Sequence, residues 1–314
     1  MNTPRHEQDS PERGRILVIR GGAIGDFILT LPVIAALRQQ FPSVHLEILG
    51  YPHIVQLALA GGLVDRVESI EARALAGFFA RHGELSEHLA DYFSEFDIIV
   101  SYLYDPDGIF RTNVARCSPA QFIQGPHRPD ERAGIPASRV YLKPLERLAI
   151  FEADPVPRLS IQGRPEKMRM IALHPGSGSA QKNWPEARWS ELLQNLINRT
   201  DSDLLLVGGE AEGERLQRLA AALPPTRVRV AQSLPLADLA KLLERCSGFV
   251  GHDSGISHLA SALGLPGLVL WGHTVEEVWR PPGERVRILR APGGLGALTT
   301  DQVFEHLLQS IRPD

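Results

Sequence analysis

Cysteine is scarce in this chain, and its scarcity argues against two classes of protein. Cys117 and Cys246 are the only cysteines among 314 residues, and they form no CxxC pair. A disulfide framework or a zinc knuckle needs more cysteines at closer spacing. We therefore expect two reduced thiols in a cytoplasmic protein.

The sequence also lacks an excess of basic charge, a leader peptide and an uninterrupted apolar span. Its 33 Lys and Arg against 37 Asp and Glu give a net charge of −4, so no nucleic-acid partner is expected. The polar N-terminus, MNTPRHEQDSPERG, has no apolar core of a secretion signal, and residues 1–14 are predicted to form a disordered tail. Residues 254–275 carry no Asp, Glu, Lys or Arg, but histidines, glycines and Pro266 interrupt them, which argues against a membrane span.

Apolar runs of strand length alternate with segments of helical period along the chain. Strand-like runs include RILVIRG, VHLEILG, FDIIVSYL, MIALHPG, DLLLVGG, RVRVAQ, GFVGHD and GLVLWG. Helix-like segments include LPVIAALRQQF, FFARHGELSEHLADYF, EARWSELLQNLINR and TTDQVFEHLLQSIR. This alternation predicts parallel α/β sheets, and the stretch after Pro155, rich in proline and charge, indicates a linker. We predict two Rossmann-like, doubly wound domains, residues 15–158 and 159–314, facing a central cleft.

Ligands of doubly wound sheets bind at the carboxyl ends of the strands, so the loops there are the candidate functional segments. The first, GGAIGD, matches neither GxGxxG nor a phosphate-binding P-loop. Its glycines let a ligand approach the backbone, and it ends in Asp26. Asp26 is either a helix cap or a functional acid, because Thr30 and Pro32 supply a separate start for the next helix.

Two loops of the second half suit a nucleotide diphosphate. HPGSGSAQKNWP combines small residues with Lys182, which favours an anion over the alternative of a solvated connector. VGGEAEG follows a strand, and Glu210 is either a ribose ligand or a first-turn acid of the next helix.

The fourth loop, GHDSGISHLASALGLP, leads into a helix capped by Asp253 or Ser254 and ending at Gly264. A helix N-terminus in the cleft would bind phosphate, and His258 lies on the same face one turn later. The alternative interpretation of His258 is a buried histidine of the core. No GxSxG motif supports a serine hydrolase, and His252, Asp253 and His258 have no familiar metal spacing, so no metal is expected.

From about Arg15 onward these motifs, in this order, resemble glycosyltransferase family 9, the heptosyltransferases of bacterial lipopolysaccharide assembly. The DSGISH core of the fourth loop carries most of the resemblance. It implies a GT-B fold and an inverting, metal-independent transfer of sugar, ADP-heptose being the expected donor and a substrate rather than a cofactor.

The resemblance also implies residue roles. Asp26 would be the general base, with Gly22 and Gly25 on the acceptor side, and Lys182 would contact the donor diphosphate. The other implied donor-binding residues are Ser177, Ser179, Glu210, Asp253, Ser254, Gly255 and His258. The sequence departs from the family at GGAIGD and at His252 and Ser254, where the family commonly has small polar residues, Asn and Thr.

The implied acceptor is a lipopolysaccharide core or related lipid-linked glycan, which fits transient contact with the inner membrane. Arg111 and Arg128 are candidates for an anionic acceptor, and an ordinary solvated face is the alternative. Two other functions stay open: a sugar-nucleotide epimerase, and a catalytically silent scaffold or sensor that binds a nucleotide sugar.

Overall fold

A computed structural model of the protein describes residues 14–161, 163, 165–178 and 182–311. These residues form two parallel sheets of five and six strands, as the alternating pattern predicts. The predicted tail, residues 1–14, lies outside the described residues except for Gly14. No helix within the described ranges is long and apolar enough to cross a membrane.

The first sheet has the strand order β3-β2-β1-β4-β5. Its strands are β1 (Arg15–Arg20), β2 (His45–Gly50), β3 (Arg66–Ser69), β4 (Ile98–Ser101) and β5 (Gln121–Gln124). Its helices are α1 (Ile24–Ile28), α2 (Leu31–Gln40), α3 (Pro52–Ala60), α4 (Glu87–Ser94), α5 (Ile109–Ala115) and α6 (Ala137–Leu142).

The second sheet has the order β11-β10-β9-β6-β7-β8. Its strands are β6 (Met170–His174), β7 (Asp203–Gly208), β8 (Val228–Gln232), β9 (Gly248–His252), β10 (Gly267–Leu270) and β11 (Val286–Leu289). Its helices are α7 (Glu186–Arg199), α8 (Gly213–Ala221), α9 (Leu236–Arg245), α10 (Gly255–Ala262), α11 (Glu276–Trp279) and α12 (Thr300–Ser310).

Both sheets are wound in the same way. Each begins at a central strand, runs outward to one edge and then returns to continue on the other side. The winding therefore reverses between β1 and β4 in the first sheet and between β6 and β9 in the second. Such switch points open a crevice outside the carboxyl ends of the strands, and the loops after these four strands border it.

The central strands show why these segments form parallel sheets. Every residue of β6, β9 and β10 is buried. A strand with helices on both faces needs apolar side chains on both, which produces continuous apolar runs rather than alternation. The edge strand β8 is partly exposed and carries arginine among its apolar residues.

One predicted helix is shorter than its sequence pattern. FFARHGELSEHLADYF is helical only from Glu87, after a 3₁₀ segment over Arg73–Phe79 and a bend. His82 has a left-handed φ of 55°, and a Cβ on Gly77 would overlap the carbonyl of Glu84. The chain folds back on itself there, which a continuous helix cannot do.

The connection between the domains is anchored to the second one. The backbone N–H of Leu159 donates to the carbonyl of Ala262 at 2.8 Å, and that of Ile161 donates to buried Glu244 at 2.7 Å. A boundary near residue 159 stays a prediction.

Candidate active site

A cavity of about 900 Å³ lies between the carboxyl ends of the two sheets. The first domain contributes Gly22, Gly25, Asp26 and Arg128, and the second contributes Ser177, Lys182, Asp253, Ser254, Gly255 and His258. The structure therefore brings the predicted acceptor side and the predicted donor side to one space. Ser179 lies outside the described residues, and neither Glu210 nor Arg111 lines this cavity.

Asp26 lies in the short helix α1 and has a local structural role. Its Oδ2 accepts a hydrogen bond from the backbone N–H of Ala23 at 3.1 Å. Gly22 has a φ of 100°, and a Cβ there would lie 3.0 Å from the same oxygen, so this turn requires glycine. As predicted, α2 has its own start, with Thr30 before it and Pro32 in its first turn. The Asp26 side chain remains 27% exposed and faces the cavity.

The sequence analysis did not identify a buried arginine beside Asp26. Arg20 is 3% exposed, and its Nη2 lies 3.6 Å from Asp26 Oδ1 and donates to the Asp26 carbonyl at 3.3 Å. Its Nη1 donates to the carbonyl of His127 at 3.0 Å, and its guanidinium carbon lies 4.5 Å from the centre of the Tyr141 ring. A buried charge needs such partners. The sequence feature that could have indicated this role is the position of Arg20, a basic residue that ends an apolar strand immediately before the glycine turn.

On the second-domain side of the cavity, Lys182 is held by an acid. Its Nζ lies 2.7 Å from Oδ2 of Asp253, which is 8% exposed. The same oxygen accepts a hydrogen bond from Thr274 Oγ1 at 2.6 Å. The sequence analysis missed Thr274, which lies in the loop after β10. These contacts place an ammonium group beside the start of α10.

Helix α10 begins at Gly255, with Ser254 as its N-cap residue. Ser254 Oγ lies 3.2 Å from Nδ1 of His174, at the end of β6. Burial lowers the pKa of His174 to about 4, so its ring is neutral at pH 7. The hydroxyl and the first free N–H groups of α10 thus border the cavity without a competing cation from this histidine.

His252 fixes the loop that carries Ser177. Its Nε2 accepts a hydrogen bond from the backbone N–H of Trp184 at 2.8 Å, which leaves Nδ1 to donate to the Gly176 carbonyl at 3.1 Å. Burial lowers its pKa to about 3. Both ring nitrogens are therefore occupied within the protein. Among the described residues, no group of three or more His, Cys, Asp or Glu is arranged to hold a metal ion.

His258 lies where the two domains meet. It is 5% exposed, and its Nδ1 has no hydrogen-bond partner among the described residues. Burial lowers its pKa to about 4, although the carboxylates of Asp253 and Asp26 act in the opposite direction. A Cβ on Gly25 would lie 3.3 Å from its ring. His258 is therefore a neutral imidazole beside the turn that carries Asp26.

A second cavity of about 620 Å³ adjoins the first and shares Ser177 and Ser254 with it. Part of its wall is apolar, formed by Val207, Ala231 and Leu239. This combination of an apolar wall and a neighbouring cavity that contains Lys182 suits a nucleoside attached to a diphosphate.

The second-domain acid that lines this second cavity is Glu212, whereas the predicted Glu210 does not line it; Glu71 of the first domain lines it as well. A 3₁₀ turn over Glu210–Glu212 leaves Glu210 exposed, whereas Glu212 accepts a hydrogen bond from the Gly209 N–H at 3.0 Å. A Cβ on Gly176 would overlap Glu212. In the sequence, Glu210 and Glu212 are equally good candidates for this cavity. The direction of the 3₁₀ turn decides which of the two side chains reaches it.

The two predicted acceptor-side arginines lie in different places. Arg111 is an exposed residue of α5 outside the cavity. Arg128 lines the cavity, 3.6 Å from Glu131 and with its guanidinium carbon 5.3 Å from the centre of the Trp279 ring. Trp279 belongs to the second domain and donates to Glu131 at 2.8 Å. Arg128 therefore sits at a contact between the domains.

The second half of the chain matches a known protein family. Residues 146–301 match the model of glycosyltransferase family 9 (heptosyltransferase). The chain carries a glycosyltransferase family 9 domain. This family 9 match includes every second-domain site residue from Ser177 to His258, and Asp26 lies outside it.

Individual relatives of this chain are lipopolysaccharide heptosyltransferases. Lipopolysaccharide heptosyltransferase 1 of Pseudomonas aeruginosa is 39% identical over 130 residues, 41% of this chain and 33% of that protein. The chain thus spans about a third of that relative's length. Lipopolysaccharide heptosyltransferase 3 of Escherichia coli is 23% identical over 290 residues, 82% of this chain and 83% of that protein.

Solved structures of two heptosyltransferases share the fold of this chain. The E. coli ADP-heptose lipopolysaccharide heptosyltransferase II has a TM-score of 0.77 at 18% identity, covering 95% of this chain and 98% of its own. The E. coli heptosyltransferase WaaC with ADP has a TM-score of 0.75 at 21% identity, covering 94% and 99%. The protein therefore has the GT-B fold, as the resemblance implied.

Proposed function

We propose that the protein is an inverting glycosyltransferase that moves heptose from ADP-heptose onto a lipopolysaccharide-core acceptor, with Asp26 as the general base. One observation carries this proposal: Asp26 lines the same cavity as Lys182 and the start of α10. The family 9 domain and the names of its relatives support the choice of sugar and acceptor.

The acceptor half of the reaction takes place on the first domain. Asp26 is held from two sides, by the Ala23 N–H and by Arg20, so its carboxylate has a defined position. A general base must lie within hydrogen-bond reach of the proton that it removes. The glycine turn allows a sugar hydroxyl to approach that closely. In the proposed step Asp26 takes the hydroxyl proton while the oxygen attacks the anomeric carbon of the donor.

The donor half takes place on the second domain. As the new bond forms, the bond between the anomeric carbon and the ADP oxygen breaks, and its electron pair leaves with the diphosphate. Lys182 and the first N–H groups of α10 would stabilise that negative charge. The base and the leaving-group site line one cavity and come from different domains. Attack from the side opposite the leaving group inverts the anomeric centre.

The second cavity is the proposed nucleoside subsite. Adenine would lie against Val207, Ala231 and Leu239, and Glu212 would accept hydrogen bonds from the ribose hydroxyls. Ser177, which lines both cavities, would lie next to the diphosphate between them. We propose that this arrangement needs no metal or cofactor, because a lysine and a helix N-terminus supply the positive charge. A lipid-linked acceptor would bring the protein transiently to the cytoplasmic face of the inner membrane.

Acceptor-dependent release of ADP tests the proposal. The protein is incubated with ADP-heptose and a truncated lipopolysaccharide-core acceptor, with and without chelator, and the anomeric configuration of the product is determined by NMR. We expect ADP release that requires acceptor, survives chelator and yields a linkage opposite in configuration to the donor. Retained configuration or loss of turnover with chelator would contradict the mechanism. Tight ADP-heptose binding without turnover would favour the sensor.

A further inference from the structure

One tyrosine differs from the others in its surroundings. Tyr104 is 69% exposed, whereas Tyr92, Tyr102 and Tyr141 are buried and Tyr51 is partly covered. Its ring lines the same cavity as Asp26. A large aromatic side chain that is open to a cavity offers a flat contact area to a ligand bound there.

Its position in the fold relates Tyr104 directly to Asp26. Tyr104 follows β4 and Asp26 follows β1, and these two strands are paired in parallel at the switch point of the first sheet. Their following loops therefore border the same crevice. The residues proposed to bind the nucleoside and the diphosphate belong to the second domain, whereas Tyr104 belongs to the first, so Tyr104 is on the acceptor side.

A chain of contacts fixes the tyrosine ring relative to Asp26. The Tyr104 and His127 ring centres lie 4.5 Å apart at an angle of 60°. The His127 carbonyl accepts a hydrogen bond from Arg20, whose other amino group lies 3.6 Å from Asp26. A ligand stacked on Tyr104 would thus be held in a defined position relative to the carboxylate.

From this geometry we propose that Tyr104 is a stacking platform for a sugar ring of the acceptor. The proposal rests on the proposed function, since it assigns the acceptor subsite of the same cavity. A pyranose presents one face of C–H groups, which packs on a flat aromatic ring, and keeps its hydroxyls at the rim, where Asp26 can reach one of them. Arg128 lines the same cavity and would meet an acidic substituent of that glycan.

Direct binding of a deacylated lipopolysaccharide-core oligosaccharide tests the platform without requiring turnover. Titration calorimetry is performed on the full chain saturated with ADP. Tyr104→Ala should raise the oligosaccharide Kd about tenfold through loss of the stacked ring. Tyr104→Phe should bind like the unaltered protein. Phe151→Ala is the matched control, because Phe151 is 71% exposed and lies outside the cavity. ADP binding should be unchanged in all three variants.

The outcomes separate this inference from the proposed function. Equal oligosaccharide binding by Tyr104→Ala and the unaltered protein, or no binding by either, would overturn the platform. A loss seen only with an acylated acceptor would assign the contact to lipid and also overturn it. A loss of oligosaccharide binding in a protein that transfers no sugar would uphold the platform while the proposed function fails.

Discussion

Gly255 lies where α10 meets α1, and replacing it with alanine tests whether this close contact matters for activity. A Cβ at position 255 would lie 2.7 Å from Ile24 Cβ and 3.0 Å from the Gly25 nitrogen. Carbon atoms pack at about 3.5 to 4.0 Å, so the turn that carries Asp26 must move away by about 1 Å. A displacement of that size at reacting groups lowers turnover by about 100-fold.

The effect on stability has two opposing parts. Alanine is better than glycine within a helix by about 1 kcal/mol, whereas overpacking destabilises by about 1 to 3 kcal/mol. We therefore expect a decrease in the free energy of unfolding of at most about 2 kcal/mol, combined with the large loss of kcat.

Acceptor-dependent ADP release and urea unfolding measure these two quantities. Gly296→Ala is the control, because no atom lies within 4 Å of a Cβ at that position. Normal turnover by Gly255→Ala would refute the idea that close approach of α1 and α10 positions Asp26.

Three further predictions follow from the second domain. Lys182→Met should raise the ADP Kd about 10- to 100-fold by removing a charged hydrogen bond, whereas Lys241→Met, on the outer face of α9 with a side chain 44% exposed, should not. Equal Kd values for the two variants would remove Lys182 from the diphosphate site. Glu212→Gln should weaken ADP binding and Glu210→Gln should leave it unchanged, and the reverse order would restore the original prediction. Burial lowers the His174 pKa from 6.5 to about 4, so between these pH values only the unfolded chain takes up the proton. As pH falls through that window, the contribution of His174 to the free energy of unfolding should be lost by about 1.4 kcal/mol per pH unit. In urea unfolding, the free energy of unfolding of His174→Gln should therefore depend less steeply on pH than that of the unaltered protein.

The central strands and longer helices could be predicted from the sequence because their burial is visible in its pattern. Continuous apolar runs marked β6 and β9, and helical periodicity marked α7 and α12. The edge strands β3 (RVES), β5 (QFIQ) and β11 (VRIL) are only four residues long and include polar residues, and such short runs give no clear periodicity. They become strands because a neighbouring strand offers hydrogen bonds.

The loops of the site could also be located from sequence, since parallel strands bring their carboxyl ends together. The contacts that the functional residues of those loops make could not be predicted from the sequence. Arg20 and Thr274 contact Asp26 and Asp253 only after the chain has folded, and the Tyr104 ring reaches the cavity through the path of the loop after β4. Glu212 replaces Glu210 at the second cavity through one 3₁₀ turn.

The central claim is that Asp26 removes the acceptor proton, and single-turnover transfer by Asp26→Asn tests it most directly. Asparagine keeps an oxygen that can accept the Ala23 N–H but cannot take a proton at neutral pH. Asp91→Asn, at an exposed position of α4, is the matched control. We predict that Asp26→Asn transfers heptose at least about 100-fold more slowly, while its ADP Kd matches that of the control. Transfer at the unaltered rate by Asp26→Asn would contradict the assignment of the base.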